Sequence, residues 1–200
     1  MIKDPMVLGL CALLAAAFTL LDLFTAKYPA TWKMLAKRGG PYLYAAIYGA
    51  LAGGVLLLFG AAIHITAPAG VPQELIDAPW TKAVVLGMFT RSVMQMTLLT
   101  LGTTPLGLKT LTLLFEPFFL RSFLLAEFKD VRAYILPAAA KATDLAQVKA
   151  TIRANTPPAL PDDERGAFLA AVDKEDNVVS AMERYLRFVG MDLFDTTFPR

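Results

Sequence analysis

Residues 1–125 hold nearly all the long apolar runs of the chain, whereas the rest of the chain alternates short apolar and polar runs. Residues 6–24 and 42–67 are each long enough to cross a bilayer, which takes about 20 apolar residues in a helix. Two more apolar stretches cover 83–101 and 106–126, with a Gly-Thr-Thr-Pro break between them. The pattern predicts an all-α protein with a multi-pass membrane domain of three to four apolar helices over 1–126, followed by a small soluble helical domain over 127–200.

The polar C-terminal part is expected to form several short helices. The first continues from the apolar stretch through 130–136 and stops at Pro137, because proline lacks the N–H that an interior helix position donates. Further helices are expected over 144–154 behind a Thr143 cap, over 162–172 behind an acidic start, and over 176–189 before Gly190. No segment carries a strand pattern above the background.

Small residues recur in the second apolar stretch at a spacing that places them on one helix face. Ala45, Gly49 and Gly53 are four residues apart, so they form one row. Small side chains let helix backbones approach closely in lipid, where no hydrophobic effect drives helices together. We therefore expect close helix packing at this row, and the partner is either another helix of the same chain or a second copy.

Composition narrows the possible classes of function. Charged residues are 18% of the chain, against about 25% in a soluble domain, and a net charge of +2 is too small to indicate nucleic-acid binding. The single cysteine, Cys11, and the single histidine, His64, supply neither a disulfide nor a metal site. Phosphate-binding, nucleophile and metalloprotease motifs are also missing from the sequence. We expect a protein that is not an enzyme, with no catalytic residues, no metal and no cofactor.

Five charged residues lie in or beside the apolar stretches, namely Asp22, Arg91, Lys109, Glu116 and Arg121. An ionised group at the middle of a bilayer costs about 2.5–3.5 kcal/mol, so each should face protein, water or an opposite charge. Asp22 or Glu116 is the expected partner of Arg91. Asp22, Lys109 and Arg121 are near helix ends and are expected to reach an interface, whereas Arg91 and Glu116 are candidates for function or for pairing between subunits.

The fourth apolar stretch has a partial polar face when residues 105–127 are placed on a helix. On a helix, Lys109, Thr112, Glu116 and Glu127 fall on one stripe, and several phenylalanines fall opposite. Such a helix either lies at the membrane interface with its polar stripe toward water, or crosses the bilayer with the stripe toward other helices. Both interpretations fit the sequence.

Basic residues indicate the orientation of the chain. If the fourth stretch does not cross, there are three spans, and the loop after the first span shares one side with the tail. That side then carries seven Lys or Arg residues against two on the other side, and the positive-inside rule makes it cytoplasmic. If the fourth stretch crosses, the tail lies opposite the basic loop and the bias nearly vanishes. We expect the C-terminal domain to be cytoplasmic, on an inner or plasma membrane.

These features predict an integral membrane protein that acts through assembly. One hypothesis is an oligomeric anchor, sensor or channel-like effector, of the kind used in stress or phage defence, whose cytoplasmic tail binds a partner or signal. The alternative is an accessory subunit of a larger transport or energy-converting complex. The expected partners are the lipid bilayer, further copies or other membrane subunits, and a protein at the C-terminal domain, with no nucleic acid.

Overall fold

The computed structural model describes residues 4–61, 63, 72–90, 97–101, 104–142, 144–159 and 161–199, and it describes their side chains except at 97–111. This part of the chain is helical, as the sequence predicts, apart from one short antiparallel pair of strands. The helices are α1 (Pro5–Asp22), α2 (Trp32–Leu35), α3 (Gly39–Phe59), α4 (Gln73–Asp77), α5 (Pro79–Met88), α6 (Leu108–Lys141), α7 (Leu145–Asn155), α8 (Asp162–Asp173), α9 (Val178–Val189) and α10 (Met191–Thr197). A π-helical turn, Leu23–Lys27, continues α1.

Among the described residues, two segments are long and apolar enough to cross a bilayer, judged by length and composition. They are the 23 residues Pro5–Lys27, which join α1 to its π-helical turn, and the 21 residues of α3. The sequence places these spans at 6–24 and 42–67, so the second one begins earlier and ends earlier than predicted. A count of three to four spans stays a prediction.

The expected apolar helix over 83–101 is wrong in its second half. Helix α5 ends at Met88, and β1 (Thr97–Leu101) pairs antiparallel with β2 (Thr104–Gly107), so that Leu99 lies opposite Leu106. Hydropathy does not distinguish an apolar helix from an apolar strand, and threonine is a β-branched residue that suits strands. Residues 91–96 lie outside the described part of the chain.

The tail helices lie close to their predicted positions. Helices α7, α8 and α9 are confirmed, and α9 ends at Gly190, which has a φ of 81° that side-chain-bearing residues rarely adopt. The cap of α7 is Asp144, whose carboxylate accepts a hydrogen bond from the Ala146 N–H at 2.9 Å; Thr143 lies outside the described residues. The predicted stop at Pro137 is wrong, because α6 continues through it to Lys141.

The chain forms two compact units. Unit 1 comprises Met1–Lys27 and Arg38–Phe123, and unit 2 comprises Tyr28–Lys37 and Leu124–Arg200. The sequence places the domain boundary at 126/127, and it assigns the short segment Tyr28–Lys37 to the membrane domain. In the structure this segment belongs to the same unit as the C-terminal helices.

In unit 1, α1 packs against α3 and α5. Helices α1 and α3 are antiparallel, because Gly49 lies against Ala12 and Ala16 whereas Gly53 lies against Leu8 and Ala12. The small buried core between these helices consists of Val7, Cys11, Ala15, Ala52, Leu56, Ala83 and Leu86.

The first part of α6 also packs in unit 1, along α3. Three contacts set its direction: Phe123 lies at Gly40, Phe119 lies 5.6 Å from Tyr44, and Phe115 lies 5.6 Å from Tyr48, the last two measured between ring centroids. Residue numbers rise along one helix as they fall along the other, so α6 runs antiparallel to α3.

Unit 2 has its own apolar core, built from helices that are separated widely in sequence. Met34 of α2 lies in this core together with residues from α6 to α10. The buried members are Met34, Val131, Ile135, Ala138, Val148, Ile152, Phe168, Val172, Ala181, Met182, Tyr185, Leu186 and Phe194. Residues 28–37 are therefore held by apolar burial as well as by the polar contacts described below.

Candidate functional site

Glu116 lies in a polar cluster of unit 1. Its carboxylate accepts a hydrogen bond from the Tyr44 hydroxyl at 3.2 Å and lies 3.7 Å from the Lys27 ammonium. Both charged side chains are about three-quarters buried, with 27% and 30% of their surfaces exposed. The charge in this apolar stretch therefore faces protein, at the end of the bundle where the π-helical turn finishes.

Aromatic rings hold the Tyr44 side chain in place. Tyr44 is 1% exposed and makes edge or tilted ring contacts with Tyr48, Phe115, Phe119 and Phe123. Each such contact contributes about 0.5–1.5 kcal/mol beyond its buried area. The phenol is thereby fixed where its hydroxyl can donate to Glu116.

The predicted row of small residues is used within the chain. Ala45 is 1% exposed, and a Cβ added at Gly49 would lie 2.6 Å from the carbonyl oxygen of Ala12 in α1. A Cβ added at Gly53 would be in ordinary contact, 3.7 Å from Ala12. The partner of this row is therefore α1 of the same chain, which the spacing in the sequence left open.

A second close approach joins α5 to α1. A Cβ added at Gly87 would lie 2.7 Å from the Leu14 Cβ and 3.0 Å from the carbonyl oxygen of Cys11. Nothing in the sequence singles out Gly87, because it is an isolated glycine rather than a member of a spaced row. At the other end of α5, the buried Lys82 ammonium donates to the Gly60 carbonyl at 3.2 Å, next to the end of α3.

Asp22 lines a cleft of about 180 Å³ between α1 and α5. Thr19 and Thr90 line the same cleft, and their hydroxyls donate to the carbonyls of Ala15 and Leu86, each at 2.7 Å. Both hydroxyl protons are thus directed at backbone carbonyls, one in α1 and one in α5. Asp22 therefore lines this cleft beside two threonines whose hydroxyls bond to backbone carbonyls.

Of the remaining charges predicted as site residues, the structure describes the side chain of Arg121 but not those of Arg91 and Lys109. Arg91 lies outside the described residues, as does His64, so the pairing of Arg91 with Asp22 or Glu116 stays a prediction. Lys109 lies in the first turn of α6, where side chains are not described. Arg121 is on the exposed face of α6, away from Glu116.

In unit 2, the buried Glu127 holds α6, α9 and the segment Tyr28–Lys37 together. Its carboxylate accepts hydrogen bonds from the Thr31 hydroxyl at 2.8 Å and from the Arg187 guanidinium at 2.7 Å, and only 4% of the side chain is exposed. Burial raises the pKa of the nearby Tyr28 phenol, and the negative charge of Glu127 raises this pKa as well, whereas Arg187 lowers it. Glu127 was recognised in the sequence only as a member of the polar stripe.

A second ion pair secures the same segment. The Lys33 ammonium lies 2.7 Å from the Asp192 carboxylate, on a residue 159 positions later in the chain. No local sequence pattern links positions so far apart, and this contact was not predicted.

Unit 2 also carries an open groove of about 520 Å³ beside α9. The Phe168 and Phe188 rings stack in it at 3.9 Å between centroids, and Glu175, Arg184 and Arg187 line its sides. The Arg184 guanidinium bonds the Glu175 carboxylate at 2.6 Å, so the groove combines an aromatic floor with charges that are already paired. Among the described residues, no three His, Cys, Asp or Glu side chains are placed to hold a metal ion.

We expect Glu175→Gln to reduce stability at neutral pH but not in acid. The hydrogen bonds from Arg184 and Ser180 hold the pKa of Glu175 below its ordinary value of 4.5. A carboxylate with a lowered pKa stabilises the fold above its unfolded-state pKa, and this contribution is lost as the pH falls through the folded-state value. Unfolding midpoints measured from neutral pH to about pH 3 should therefore converge for the two proteins. Arg184→Gln should reproduce the effect, and a double variant that loses twice as much would contradict this account.

No protein family model, no curated protein and no solved structure matches this chain. The fold and the sites alone therefore define its class: the described residues form two compact, mainly helical units and include two helical segments of membrane-spanning length.

Proposed function

We propose that this protein is a multi-pass membrane anchor that holds unit 2 at the cytoplasmic face of an inner or plasma membrane, where unit 2 binds a protein partner. One observation carries the proposal. The segment between the two membrane-length helices, Tyr28–Lys37, belongs to the same compact unit as Leu124–Arg200.

Two segments that lie on the same side of a membrane are separated by an even number of crossings, and this limits the number of spans. If α1 and α3 both cross, the segment between them and the end of α3 lie on opposite sides of the bilayer. Because Tyr28–Lys37 packs with Leu124–Arg200, the chain must cross back once between residues 60 and 123. Three crossings are therefore the simplest arrangement, and the loop and the tail share one side.

The first part of α6 is best suited to this return crossing. It runs antiparallel along α3, and residues 108–127 extend for about 30 Å at 1.5 Å per residue, which is the thickness of the hydrocarbon layer. Its polar stripe faces protein, since Thr112 is buried and Glu116 bonds Tyr44. Helix α5, with ten residues, reaches only about 15 Å.

The outer face of α6 agrees with exposure to lipid. Leu114 and Phe118 are 76% and 72% exposed, respectively. Arg121 lies two residues before Phe123, which is level with Gly40 at the start of α3, so its long side chain can reach the headgroups. This arrangement favours a crossing helix over one that lies in the interface with its polar stripe toward water.

Charge sets the orientation. The shared side carries seven basic residues close to the helix ends, whereas the other side carries four, namely Lys3, Lys82, Arg91 and Lys109. The positive-inside rule places the shared side in the cytoplasm. The seven residues are Lys27, Lys33, Lys37, Arg38, Lys129, Arg132 and Lys141.

An anchoring role fits the geometry better than a conducting one. Glu116 is engaged by Lys27 and Tyr44, and Arg121 is on the outer face of its helix, so these two charges do not line a common path. In unit 2, the groove beside α9 offers the stacked Phe168 and Phe188 rings as a contact surface for the partner.

The proposal is tested by the accessibility of single cysteines in intact and opened membrane vesicles. The buried Cys11 is replaced by alanine, and cysteine is introduced at one of three exposed positions: Lys37, Lys174 or Glu74. With a membrane-impermeant maleimide, we expect positions 37 and 174 to react from the cytoplasmic side and position 74 from the opposite side.

Two other patterns of labelling would contradict the proposed topology. Reaction of positions 37 and 174 from opposite sides would overturn the shared-side topology. Reaction of all three positions from one side, with release of the protein by alkaline carbonate, would show that it does not cross a membrane at all.

A further inference from the structure

The C-terminal part of α6 carries an exposed face that is both apolar and basic. Leu125 and Phe128 are 53% and 45% exposed, and Lys129 and Arg132 are exposed beside them. These four residues are called the α6 basic face. The Arg132 guanidinium carbon lies 5.9 Å from the centre of the Phe128 ring, so its charge is held about one turn back along the helix.

The face carries no negative charge of its own. The acids of this part of α6 are Glu127, which is buried and bonded to Arg187, and Asp130, which is two residues from Phe128 and so points away from it by about 160°. Lys129 and Arg132 of the α6 basic face can therefore bind an anion. A molecule bound there also contacts the exposed side chains of Leu125 and Phe128.

The position of the face along α6 matches the headgroup layer. This step rests on the proposed function, in which α3 and α6 cross the bilayer. Phe123 is level with Gly40 at the start of α3, and Phe128 follows about 7.5 Å further along the helix. A headgroup layer adds about 5–7 Å to each side of the hydrocarbon core, and helix side chains lean toward the N-terminus, which is here toward the bilayer.

We propose that the α6 basic face binds an anionic phospholipid of the cytoplasmic leaflet. Lys129 and Arg132 hold the phosphate, and Leu125 and Phe128 lie against the upper part of the acyl chains. Phenylalanine and leucine beside lysine and arginine are typical of helix faces that lie at the boundary between headgroups and acyl chains, and clustered basic residues attract anionic headgroups.

Charge argues against a second copy as the occupant. Two copies in one membrane have the same orientation, so a symmetric pair joined through this face would place Lys129 and Arg132 close to their own counterparts. Like charges at such distances repel, whereas an anionic headgroup neutralises both residues.

The test is native mass spectrometry of the full-length protein in a mild detergent with added phosphatidylglycerol or phosphatidylcholine. Each basic residue near an anionic surface contributes a factor of about five to affinity. We expect Arg132→Gln to weaken phosphatidylglycerol binding roughly fivefold, and Lys129→Gln/Arg132→Gln to weaken it roughly 25-fold. Phosphatidylcholine binding should not change, and excess inorganic phosphate should not displace the lipid.

The matched control is Lys141→Gln/Lys174→Gln, which removes the same charge from unit 2 at other exposed positions and should leave lipid binding unchanged. Undiminished phosphatidylglycerol binding in the α6 variants, or an equal loss in the control, would overturn the inference. A change in the number of protein copies instead of bound lipids would show that a second copy occupies the face. Cysteine labelling of the same variants separates the two proposals: if positions 37 and 174 still share a side but lipid selectivity is absent, only this inference fails.

Discussion

Gly49→Ala is expected to destabilise unit 1 by about 2 kcal/mol, although alanine is the better helix former. The added Cβ would lie 2.6 Å from the Ala12 carbonyl oxygen, a backbone atom that cannot rotate away. Helices α1 and α3 must therefore move apart, which loses contact along the whole row. Trp80 is in unit 1 and Trp32 is in unit 2, so the fluorescence of Trp80 in a Trp32→Phe background reports this unit alone.

The control is Gly54→Ala in the same helix. Nothing lies within 4 Å of a Cβ at Gly54, so this change should be neutral or stabilise by up to about 1 kcal/mol. Effects of opposite sign five residues apart would identify the close approach as the cause. If Gly49→Ala instead leaves the unfolding midpoint unchanged and alters only the oligomeric mass, the row contacts another copy and the intrachain packing is wrong.

Arg187→Met is expected to destabilise unit 2 by about 2 kcal/mol, because it leaves a buried carboxylate without its charged hydrogen-bond donor. The charge left behind is the Glu127 carboxylate, which has 4% of its side chain exposed. Methionine keeps much of the apolar stem of arginine, so the loss reports mainly the missing guanidinium. The loss of stability is measured by urea denaturation, monitored through the fluorescence of Trp32 in a Trp80→Phe background. Trp32 reports it because it lies in the segment that Glu127 holds.

Two further variants compare the contribution of the Glu127–Arg187 pair to stability with that of an exposed ion pair. Arg153→Met breaks the pair with Asp173, in which both side chains are about half exposed, and should cost less than about 1 kcal/mol. Glu127→Met/Arg187→Met should recover part of the loss, since no charge then remains buried without its partner. If Arg187→Met and Arg153→Met lower the free energy of unfolding equally, the burial of Glu127 does not strengthen its ion pair.

Periodicity and hydropathy predicted the elements better than they predicted their partners. The row of Ala45, Gly49 and Gly53 was evident because its members share one helix face, but spacing in one helix does not say which helix lies opposite. Glu116 and Glu127 were likewise placed on one stripe, whereas their partners Lys27 and Arg187 are 89 and 60 residues away. Tertiary packing determines which residues become such partners, and no local pattern in a single sequence indicates them.

Two errors in the predicted elements have local causes. Pro137 was expected to end α6, yet the helix continues for four residues beyond it. The residues around it, Ile135 and Ala138, are buried in the core of unit 2, and burial offsets the lost hydrogen bond. The strands at 97–107 were missed because their leucines and threonines extend the apolar run that precedes them.

The two long-range contacts of Tyr28–Lys37 also set the order of events during synthesis. Thr31 meets Glu127 after 96 further residues, and Lys33 meets Asp192 after 159. At about 5–20 residues per second, the second interval lasts roughly 8–30 s. Throughout this time the core that Met34 enters is incomplete, so the segment is exposed to proteases and chaperones until the helices of unit 2 have been made. Slowing translation after residue 124 should therefore increase cleavage within 28–37, whereas slowing it before α3 should not.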